Sequence, residues 1–301
     1  RAKDKEISLF GLTATASFDV LADVERELSG NGSFLLDADV IVRYENTTRL
    51  ELQYKIEKVS VDFEIDNFYD QNNVVASHLP KALNITNHWK AFESKSNYLK
   101  EYTKTIPKHL TEIQSGTHIN NLKNRFIERQ NNDEGTNVNL EIPITNDYYA
   151  KKDEYEEAGI IFCPHVKGTG LSVRVNTDNL RQDGFEDIAS FSGQDNDTLA
   201  MKSLETFRTN GSPLMVATKA FGMGIDKPNV RFTVNMNYSS SLESFVKEAG
   251  RAGKDKKIAL STILVSDYSL AQISRKYGAT TFPLATIKNK WFKENDLREI
   301  L

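Results

Sequence analysis

Short apolar runs alternate with helical segments along the second half of the chain. The runs are almost continuously apolar, and they lie at 159–163, 188–191, 214–217, 230–236 and 258–265. Runs of this length are typical of strands in a parallel sheet that is covered on both faces. Apolar residues at helical spacing predict helices near 197–209 and 240–250. The alternation therefore predicts an α/β fold with a doubly wound, mostly parallel sheet and helices on both faces.

The first 65 residues show the same alternation. An apolar run at 7–10 predicts a buried strand, and Ser17 is placed to cap a following helix that Gly30 ends. The apolar face of that helix consists of Val20, Leu21, Val24 and Leu28. Alternation over 50–65 predicts a half-buried strand. Its apolar face consists of Leu50, Leu52, Tyr54 and Ile56.

The segment 66–158 has a different character. It is rich in Asn, Lys, Glu and Tyr, it has few strand signals, and its apolar residues recur at helical spacing. The pattern predicts a mostly helical insertion, with a loop at 131–139. Between 86 and 130 there are eight cations and four anions, with interleaved aromatic residues at Trp89, Phe92, Tyr98 and Tyr102.

Two interpretations of this basic, aromatic stretch are open. Phosphate contacts and base stacking could bind single-stranded DNA. Alternatively, the stretch is an amphipathic helix with a solvated charged face and an aromatic stripe in the core, which the helical spacing favours.

Bulk composition restricts the possible functions. The 301 residues are 39% hydrophobic and 27% charged, which is ordinary for a protein with a buried core. The formal net charge is -4 and the pI is about 5.9, so nucleic acid would have to be bound by a local groove and not by a global cationic field. No apolar run of about 18 residues occurs, so no transmembrane helix and no membrane partner are expected.

Cysteine and histidine usage argues against other kinds of site. Cys163 is the single cysteine, which excludes an internal disulfide and a four-cysteine zinc site and fits a cytoplasmic location. The histidines at 78, 88, 109 and 118 lack metal-ligand spacing, so no metal site is predicted. The start at Arg1, with neither a Met nor an apolar signal core, is expected for a piece from inside a larger protein.

The strongest chemical signal is the stretch 216–232, which reads VATKAFGMGIDKPNVRF. A buried strand ends at Thr218 and opens into a loop with Gly222 and Gly224. Glycines let backbone N–H groups approach a phosphate, and Asp226 just beyond them can accept hydrogen bonds. From the residues alone, a plain strand-to-helix turn is the simpler interpretation.

The second signal is the stretch 239–255, which reads SSSLESFVKEAGRAGKD. Ser240 and Glu243 have the spacing of a capping box. An apolar helical face follows, made of Leu242, Phe245, Val246 and Ala249. Glycines at 250 and 253 then end the helix beside Arg251 and Lys254. These cations either form a solvated basic helix end or face the phosphates of a nucleotide held by a partner domain.

Both stretches resemble helicase motifs. The first is similar to motif V of the RecQ-like DNA helicases of superfamily 2 at nearly all of its 17 positions. The second resembles motif VI, whose family pattern runs Gln-Glu-(Ser/Ala)-Gly-Arg-Ala-Gly-Arg-Asp. The resemblance spans about 1–60 and 158–268, and it implies the C-terminal part of an ATP-dependent motor, from motif III to motif VI, with a RecA-like fold.

Three departures from the family stand out. Lys247 replaces the usual Gln, and Lys254 replaces the second Arg, which is usually assigned as the arginine finger. Lysine keeps the charge but loses the bidentate fork, so Arg251 is predicted to be the surer nucleotide contact. The segment 66–158 is also far longer than the connector typical of the family.

Further segments resemble the family more weakly. The segment 11–16 is similar to motif III, and this implies that Thr13 and Thr15, together with Glu248, couple the nucleotide state to DNA contacts. Alone, such a segment favours a plain helix start, and the resemblance gains weight because the segment lies upstream of the other two motifs in the right order.

The strand at 159–163 resembles motif IV, which the family continues with a Ser or Thr that contacts a DNA phosphate. Here His165, Lys167 and Thr169 follow, and they either take that role or form only a loop. Ser192 lies where the family has a turn near the DNA backbone.

The resemblance implies a division of labour. Residues 1–45 would end a first RecA-like domain, and 46–301 would form the second one with its insertion. Arg251 and Lys254 would be catalytic, and with Gly222, Gly224 and Asp226 they would contact ATP. The DNA contacts would come from Thr218, Lys167, His165 and Ser192. The partner would be DNA that is single-stranded or has a single-stranded tail, with translocation from 3′ to 5′.

Neither a Gly-x-x-x-x-Gly-Lys-(Ser/Thr) phosphate loop nor an Asp-Glu-x-His magnesium motif occurs in the 301 residues. The first domain would therefore supply the phosphate-loop Lys, the Mg²⁺ ligand and the catalytic Glu, and the chain alone is expected to be inactive.

Three other functions compete with this one. A non-hydrolysing module that binds nucleic acid or a partner protein fits the two lysine departures and the long insertion. A Rossmann-type enzyme is disfavoured, because no Gly-x-Gly-x-x-Gly follows a strand. The sequence does not separate a helicase from a translocase that remodels complexes without unwinding.

Overall fold

A computed structural model of the chain describes residues 18–32, 49–66, 82–115, 120–121, 123–125, 127–128, 148–222, 226–267 and 286–288. Several predicted features lie outside these residues: the strand at 7–10, Thr13, Thr15, Ser17, the loop at 131–139 and Gly224. The predicted domain boundary at 45 also lies outside them and stays a prediction.

The described strands and helices follow the predicted alternation. The strands are β1 (Leu52–Ser60), β2 (Glu64–Asp66), β3 (Ala82–Thr86), β4 (Ala158–Phe162), β5 (Ile188–Phe191), β6 (Leu214–Ala217), β7 (Val230–Asn235), β8 (Ala259–Asp267) and β9 (Thr286–Lys288). The helices are α1 (Phe18–Leu28), α2 (His88–Ser115), α3 (Val173–Gln182), α4 (Asp197–Arg208) and α5 (Leu242–Ala249), with a 3₁₀ turn at Lys219–Gly222.

Six strands form one sheet in the order β1-β8-β7-β4-β6-β5, and every neighbouring pair is parallel. Successive residues of a strand point to opposite faces. On β4, Ile160 belongs to one buried cluster and Ile161 to the other, and Met215 and Val216 on β6 divide in the same way. The apolar runs are continuous because both faces are covered, which confirms the predicted parallel sheet of an α/β fold.

Helices cover both faces of this sheet. Leu99 of α2 and Leu180 of α3 belong to one buried cluster. Phe207 of α4, Phe245 of α5 and Phe221 of the 3₁₀ turn belong to the cluster on the opposite face. The fold is therefore doubly wound, as predicted. β2, β3 and β9 form a separate small sheet.

Helix α2 lies over the main sheet, although it comes from the segment predicted to be an insertion. Most of its buried residues recur every three or four positions, and the buried set is Ala91, Phe92, Lys95, Ser96, Leu99, Tyr102, Thr103, Ile106 and Leu110. Among its aromatic residues, Phe92 and Tyr102 are buried, whereas Trp89 is 43% exposed. The rings therefore form a core stripe and not a surface for stacked bases, in agreement with the amphipathic interpretation.

Pro107 lies inside α2, where it cannot donate the hydrogen bond that the carbonyl four residues earlier would accept. That carbonyl belongs to Thr103, and the Tyr149 hydroxyl donates to it at 2.7 Å. Burial raises the pKa of Tyr149 well above its ordinary value, so the hydroxyl stays a donor. A side chain from outside the helix thus replaces the missing backbone bond.

The predicted burial is wrong at two positions of strand β1. Tyr54 and Ile56 are 56% and 39% exposed, because β1 is an edge strand and the helices on that face do not cover them fully. The opposite side faces α2 with polar residues. Glu57 accepts a hydrogen bond from Tyr98 at 2.7 Å and pairs with Lys55 at 2.9 Å.

Helix α3 was not predicted from the apolar pattern. Its buried residues are Val173, Asn176, Thr177 and Leu180, so half of its inner face is polar. Asn176 is fully buried because its amide donates to the carbonyls of Gly170 and Ser172 at 2.7 and 2.8 Å. A helix that buries hydrogen-bonded polar residues has no apolar periodicity to detect.

Candidate nucleotide and nucleic-acid site

One group of predicted residues lies at the carboxyl edge of the sheet. Thr218 follows β6, Ser192 follows β5, and the loop with His165 and Lys167 follows β4. The Thr218 N–H donates to the Phe191 carbonyl at 3.2 Å, which joins two of these strand ends. Ligands of open α/β sheets bind at this edge. The four residues predicted for DNA contact therefore share one edge of the fold.

The loop after β4 is held on α2. Gly170 has φ +68°, and a Cβ there would come within 2.2 Å of the Phe92 carbonyl carbon, so only glycine fits this approach. The Val173 N–H donates to the His165 carbonyl at 2.9 Å and closes the loop. The side chains of His165, Lys167 and Thr169 remain exposed.

Ser192 differs from its predicted partners, because it is buried. Its backbone N–H donates to Asp195 Oδ2 at 2.5 Å, and its hydroxyl accepts from the Gln194 N–H at 3.4 Å. Ser192 thus organises the turn, whereas Gly193 and Gln194 are exposed on it.

A second group of predicted residues lies at the amino edge of the sheet. The Lys254 ammonium donates to Asp226 Oδ1 at 3.0 Å, which joins the two motif-like stretches. The Gly253 N–H donates to the Val230 carbonyl at 2.9 Å, so this loop lies where β7 begins. A strand of six residues spans about 20 Å, which is the distance between the two edges.

The helix that leads to this loop begins one residue later than predicted. Ser241, and not Ser240, is the N-cap, and its hydroxyl accepts from the Ser244 N–H at 3.1 Å. The capping box with Glu243 is therefore wrong, because Glu243 instead pairs with Lys247 one turn later, at 2.5 Å. Lys247, which replaces the usual Gln of the family pattern, is therefore engaged in an ion pair with Glu243.

The predicted apolar face of α5 is only half buried. Phe245 and Ala249 pack in the core, whereas Leu242 and Val246 are exposed. The apolar face that α5 buries against the sheet is therefore narrower than the face predicted from the sequence.

Glu248 is buried on α5 and tied to the far end of β7. Its carboxylate accepts hydrogen bonds from the Asn235 amide and the Ser239 hydroxyl. Burial raises the pKa of Glu248, and the Ser239 hydrogen bond, the Lys219 cation and the Asn235 hydrogen bond oppose that rise. Glu248, which was predicted to couple the nucleotide to the DNA contacts, thus joins α5 to the carboxyl edge of the sheet. Lys219, which acts on it, lies beside Thr218.

Arg251 is half-buried at the start of the loop. Burial lowers the pKa of its guanidinium, which nevertheless stays protonated at neutral pH because an arginine titrates far above it. A partly desolvated cation interacts with a phosphate more strongly than one in bulk water.

Sequence reasoning missed two further arginines that hold this loop. Arg49 donates to the backbone carbonyls of Gly250, Ala252 and Gly253. Arg231 is fully buried on β7 and donates to Asp255 at 2.6 Å. Arg49 lies outside both motif-like stretches. Arg231 lies within the first, but nothing local marks it as the partner of Asp255, which is distant in sequence.

Lys227, next to Asp226, is buried over the Phe207 ring, and burial lowers its pKa to about 8. A depressed lysine pKa means that the folded state binds fewer protons than the unfolded state between about pH 8 and 10.5, so stability rises with pH across that window. We expect Lys227→Met to remove this rise, which is worth roughly 3 kcal/mol at about 1.4 kcal/mol per pKa unit. Urea unfolding at pH 7 and pH 10 measures it.

The exposed Lys202 on α4 provides the matched control, because Lys202→Met should leave the pH dependence of the wild type in place. An unchanged pH dependence in Lys227→Met would contradict the assignment.

Among the residues that the structure describes, no three His, Cys, Asp or Glu side chains are grouped to hold a metal ion. Within the same residues, none of the helices has both the length and the apolar character needed to cross a bilayer.

Comparisons with known proteins agree with this geometry. Residues 142–256 match the helicase conserved C-terminal domain. The chain is 38% identical over 99 residues to ATP-dependent DNA helicase Q1 of Pongo abelii, covering 33% of this chain and 14% of that protein. It is 32% identical over 121 residues to ATP-dependent DNA helicase RecQ of Bacillus subtilis, covering 40% and 19%.

A solved structure with partial similarity is S. cerevisiae Dbp5 bound to RNA and ADP BeF3, at 14% identity and a TM-score of 0.46, covering 96% of this chain and 52% of that one. The chain spans 14% to 19% of the length of the two curated relatives named above. The range 142–256 contains both motif-like stretches, and over that range the chain is similar to the helicase conserved C-terminal domain.

Proposed function

We propose that the chain is the second RecA-like half of a motor that couples ATP hydrolysis to movement on single-stranded DNA, from 3′ to 5′, and to duplex unwinding. The observation that carries the proposal is the Asp226–Lys254 pair on the loop that bears Arg251. The pair brings Lys254 of the second motif-like stretch and Asp226 of the first together at the amino edge of the sheet.

Each residue of that loop has a defined task in this proposal. ATP hydrolysis transfers the terminal phosphoryl group to water and gives ADP and inorganic phosphate. Arg251 would contact the phosphates and stabilise the charge that develops during transfer. Asp226 is 86% exposed at its side chain, and an exposed ion pair is worth only about 0–1 kcal/mol, so Lys254 can exchange it for a phosphate.

The opposite edge of the sheet would hold the DNA. The exposed His165, Lys167 and Thr169 and the half-buried Thr218 offer donors to phosphate oxygens. Glu248 ties α5 to the carboxyl edge, where Lys219 lies beside Thr218, so a shift of α5 on nucleotide binding would also move groups near Thr218. Alternating closure and opening of the cleft between the two RecA-like domains would move the motor along the strand.

A second candidate is a non-hydrolysing module that binds nucleic acid or a partner protein. The pairing of Lys254 with Asp226 and of Lys247 with Glu243 favours it, because both lysines that depart from the family pattern are already neutralised.

Steady-state ATP hydrolysis by the full-length protein and by the 301-residue chain tests the proposal. We expect turnover that single-stranded DNA stimulates in the full-length protein and none in the chain alone, because the phosphate loop and Mg²⁺ ligand would come from the first domain. Single-stranded RNA and blunt duplex DNA serve as comparison ligands.

Mg²⁺-dependent turnover by the pure chain would refute the proposed division between two domains. DNA binding without hydrolysis in the full-length protein would favour the binding module. Greater stimulation by RNA than by DNA would refute the proposed substrate.

A further inference from the structure

Arg49 lies just before β1 and about 200 positions from the loop that it contacts. Its Nη1 donates to the Gly250 carbonyl at 2.9 Å, and its Nη2 donates to the carbonyls of Ala252 and Gly253 at 2.8 and 2.6 Å. Its Nε donates to Glu51 at 2.6 Å. These four hydrogen bonds use four of the five N–H groups of the guanidinium.

The accepting carbonyls lie on both sides of Arg251. The last carbonyls of a helix have no partner within it, and a side chain that binds them also fixes how the chain leaves the helix. Arg49 therefore fixes the backbone from which the Arg251 side chain projects. Glu51, whose side chain is only 6% exposed, holds Arg49 in turn.

Gly253, at the far end of the loop, packs closely against the guanidinium of Arg49. Gly253 has φ +67°, and a Cβ there would lie 3.2 Å from Arg49 Nη2 and 3.1 Å from the Lys257 carbonyl. The loop therefore closes tightly around the Arg49 fork, and a methyl group at Gly253 would push against it.

We propose that Arg49 is a positioning residue that holds Arg251 in place to meet the phosphates of the nucleotide. This inference rests on the proposed function, since it assumes that Arg251 acts on ATP. A lysine cannot replace Arg49, because its single ammonium lacks the planar fork that spans three carbonyls.

The test uses the full-length protein with Arg49→Lys and a matched control, Arg181→Lys. Arg181 also donates to a backbone carbonyl, that of Ile188 at 3.0 Å, but far from the loop. Amide hydrogen exchange at 250–254 and the kcat and KM for ATP are measured for each, and Arg49→Lys is repeated in an Arg251→Ala background. Gly253→Ala perturbs the contact from the other side, should Arg49→Lys fail to fold.

We expect Arg49→Lys to speed exchange at 250–254 by roughly tenfold or more, as for a locally loosened segment. We expect kcat to fall about 10- to 100-fold, the usual effect of a small misplacement, with little change in KM. In the Arg251→Ala background the same change should cost nothing further, whereas a general loss of structure would lower turnover in both backgrounds. Arg181→Lys should match the wild type.

Unchanged amide exchange at 250–254 in Arg49→Lys would show that Arg49 does not hold the loop, even if the motor is active. Faster exchange with an unchanged kcat, or an equal loss of kcat in both backgrounds, would overturn the positioning role. A wild-type protein without turnover would instead remove the proposed function, and with it the task that Arg49 serves.

Discussion

Arg251→Ala is expected to lower the DNA-stimulated kcat of the full-length protein by about 10³-fold, a typical effect of losing an arginine that stabilises a transferring phosphoryl group. The loss corresponds to about 4 kcal/mol of transition-state stabilisation. Arg251 is half-buried, and burial lowers its pKa, so its charge acts in a partly desolvated setting. Because the charge develops during transfer, the KM for ATP should change much less than kcat.

Lys254→Ala should have a smaller effect, on the order of tenfold. Its ammonium cannot form the bidentate contact of a guanidinium, and it is paired with Asp226 at 3.0 Å. Lys254→Arg restores the family residue and should raise kcat above that of the wild type if the second cation contributes.

Arg208→Ala is the matched control for both changes. Arg208 lies on the surface of α4, where its Nε is 3.6 Å from Glu205, and its loss should leave kcat and KM unchanged. Nucleotide binding, followed by displacement of a fluorescent analogue, separates lost catalysis from lost affinity. An Arg251→Ala variant that retains more than about one third of the wild-type kcat would contradict the role assigned to Arg251.

The sequence predicted the sheet well because its strands carry their own signal. β4, β6 and β7 are buried along their whole length, and β5 and β8 are buried in their first residues, so each is an apolar run at nearly its observed bounds. The edge strand β1 was predicted at the right place but with the wrong burial, since exposure of Tyr54 depends on which helices cover the edge. Helix α3 escaped prediction because it buries Asn176 through hydrogen bonds.

For the site too, the features with a local sequence signal were predicted, and those that depend on the fold were not. The contact between Asp226 and Lys254 joins two stretches that a motif can reveal one at a time. The structural roles of Arg49 and Arg231 gave no such signal, although Arg231 lies within the first stretch, because both act through carbonyls and carboxylates that are adjacent only in the folded chain. Local pattern shows which residues carry chemistry, and the fold alone shows which residues hold them there.

Arg231→Met should destabilise the fold by about 3–5 kcal/mol, the cost of removing one partner from a buried ion pair. Arg231 is fully buried between two carboxylates. Its Nε lies 2.8 Å from Glu157, at ion-pairing distance but without the alignment of a hydrogen bond, and its Nη2 donates to Asp255 at 2.6 Å. It also donates to the carbonyls of Pro228 and Ile258. Met fills a similar volume, so the loss is mainly electrostatic.

The pH dependence of the deficit identifies its cause. Burial raises the pKa of Glu157, and the Arg231 charge opposes that rise. Removing Arg231 takes away the largest opposing charge and leaves only that of Lys257, so the pKa of Glu157 rises further and the folded variant binds a proton that the unfolded chain releases. Its stability should therefore increase as the pH falls through the raised pKa, and the deficit against the wild type should be smaller at pH 5 than at pH 8. Urea unfolding at both pH values measures this.

Two further variants separate charge from packing. Arg174→Met, on the exposed side of α3, should change the free energy of unfolding by less than about 0.5 kcal/mol. Adding Glu157→Gln and Asp255→Asn to Arg231→Met should recover part of the lost stability, because no unpaired carboxylate is left. A deficit that is the same at both pH values, and that the two added changes leave unaltered, would show that Arg231 acts through packing. In the electrostatic case Asp255 loses its partner one residue from Lys254. We then expect the same substitution to loosen the loop that bears Arg251, so that the buried arginine contributes both to the stability of the sheet and to the geometry of that loop.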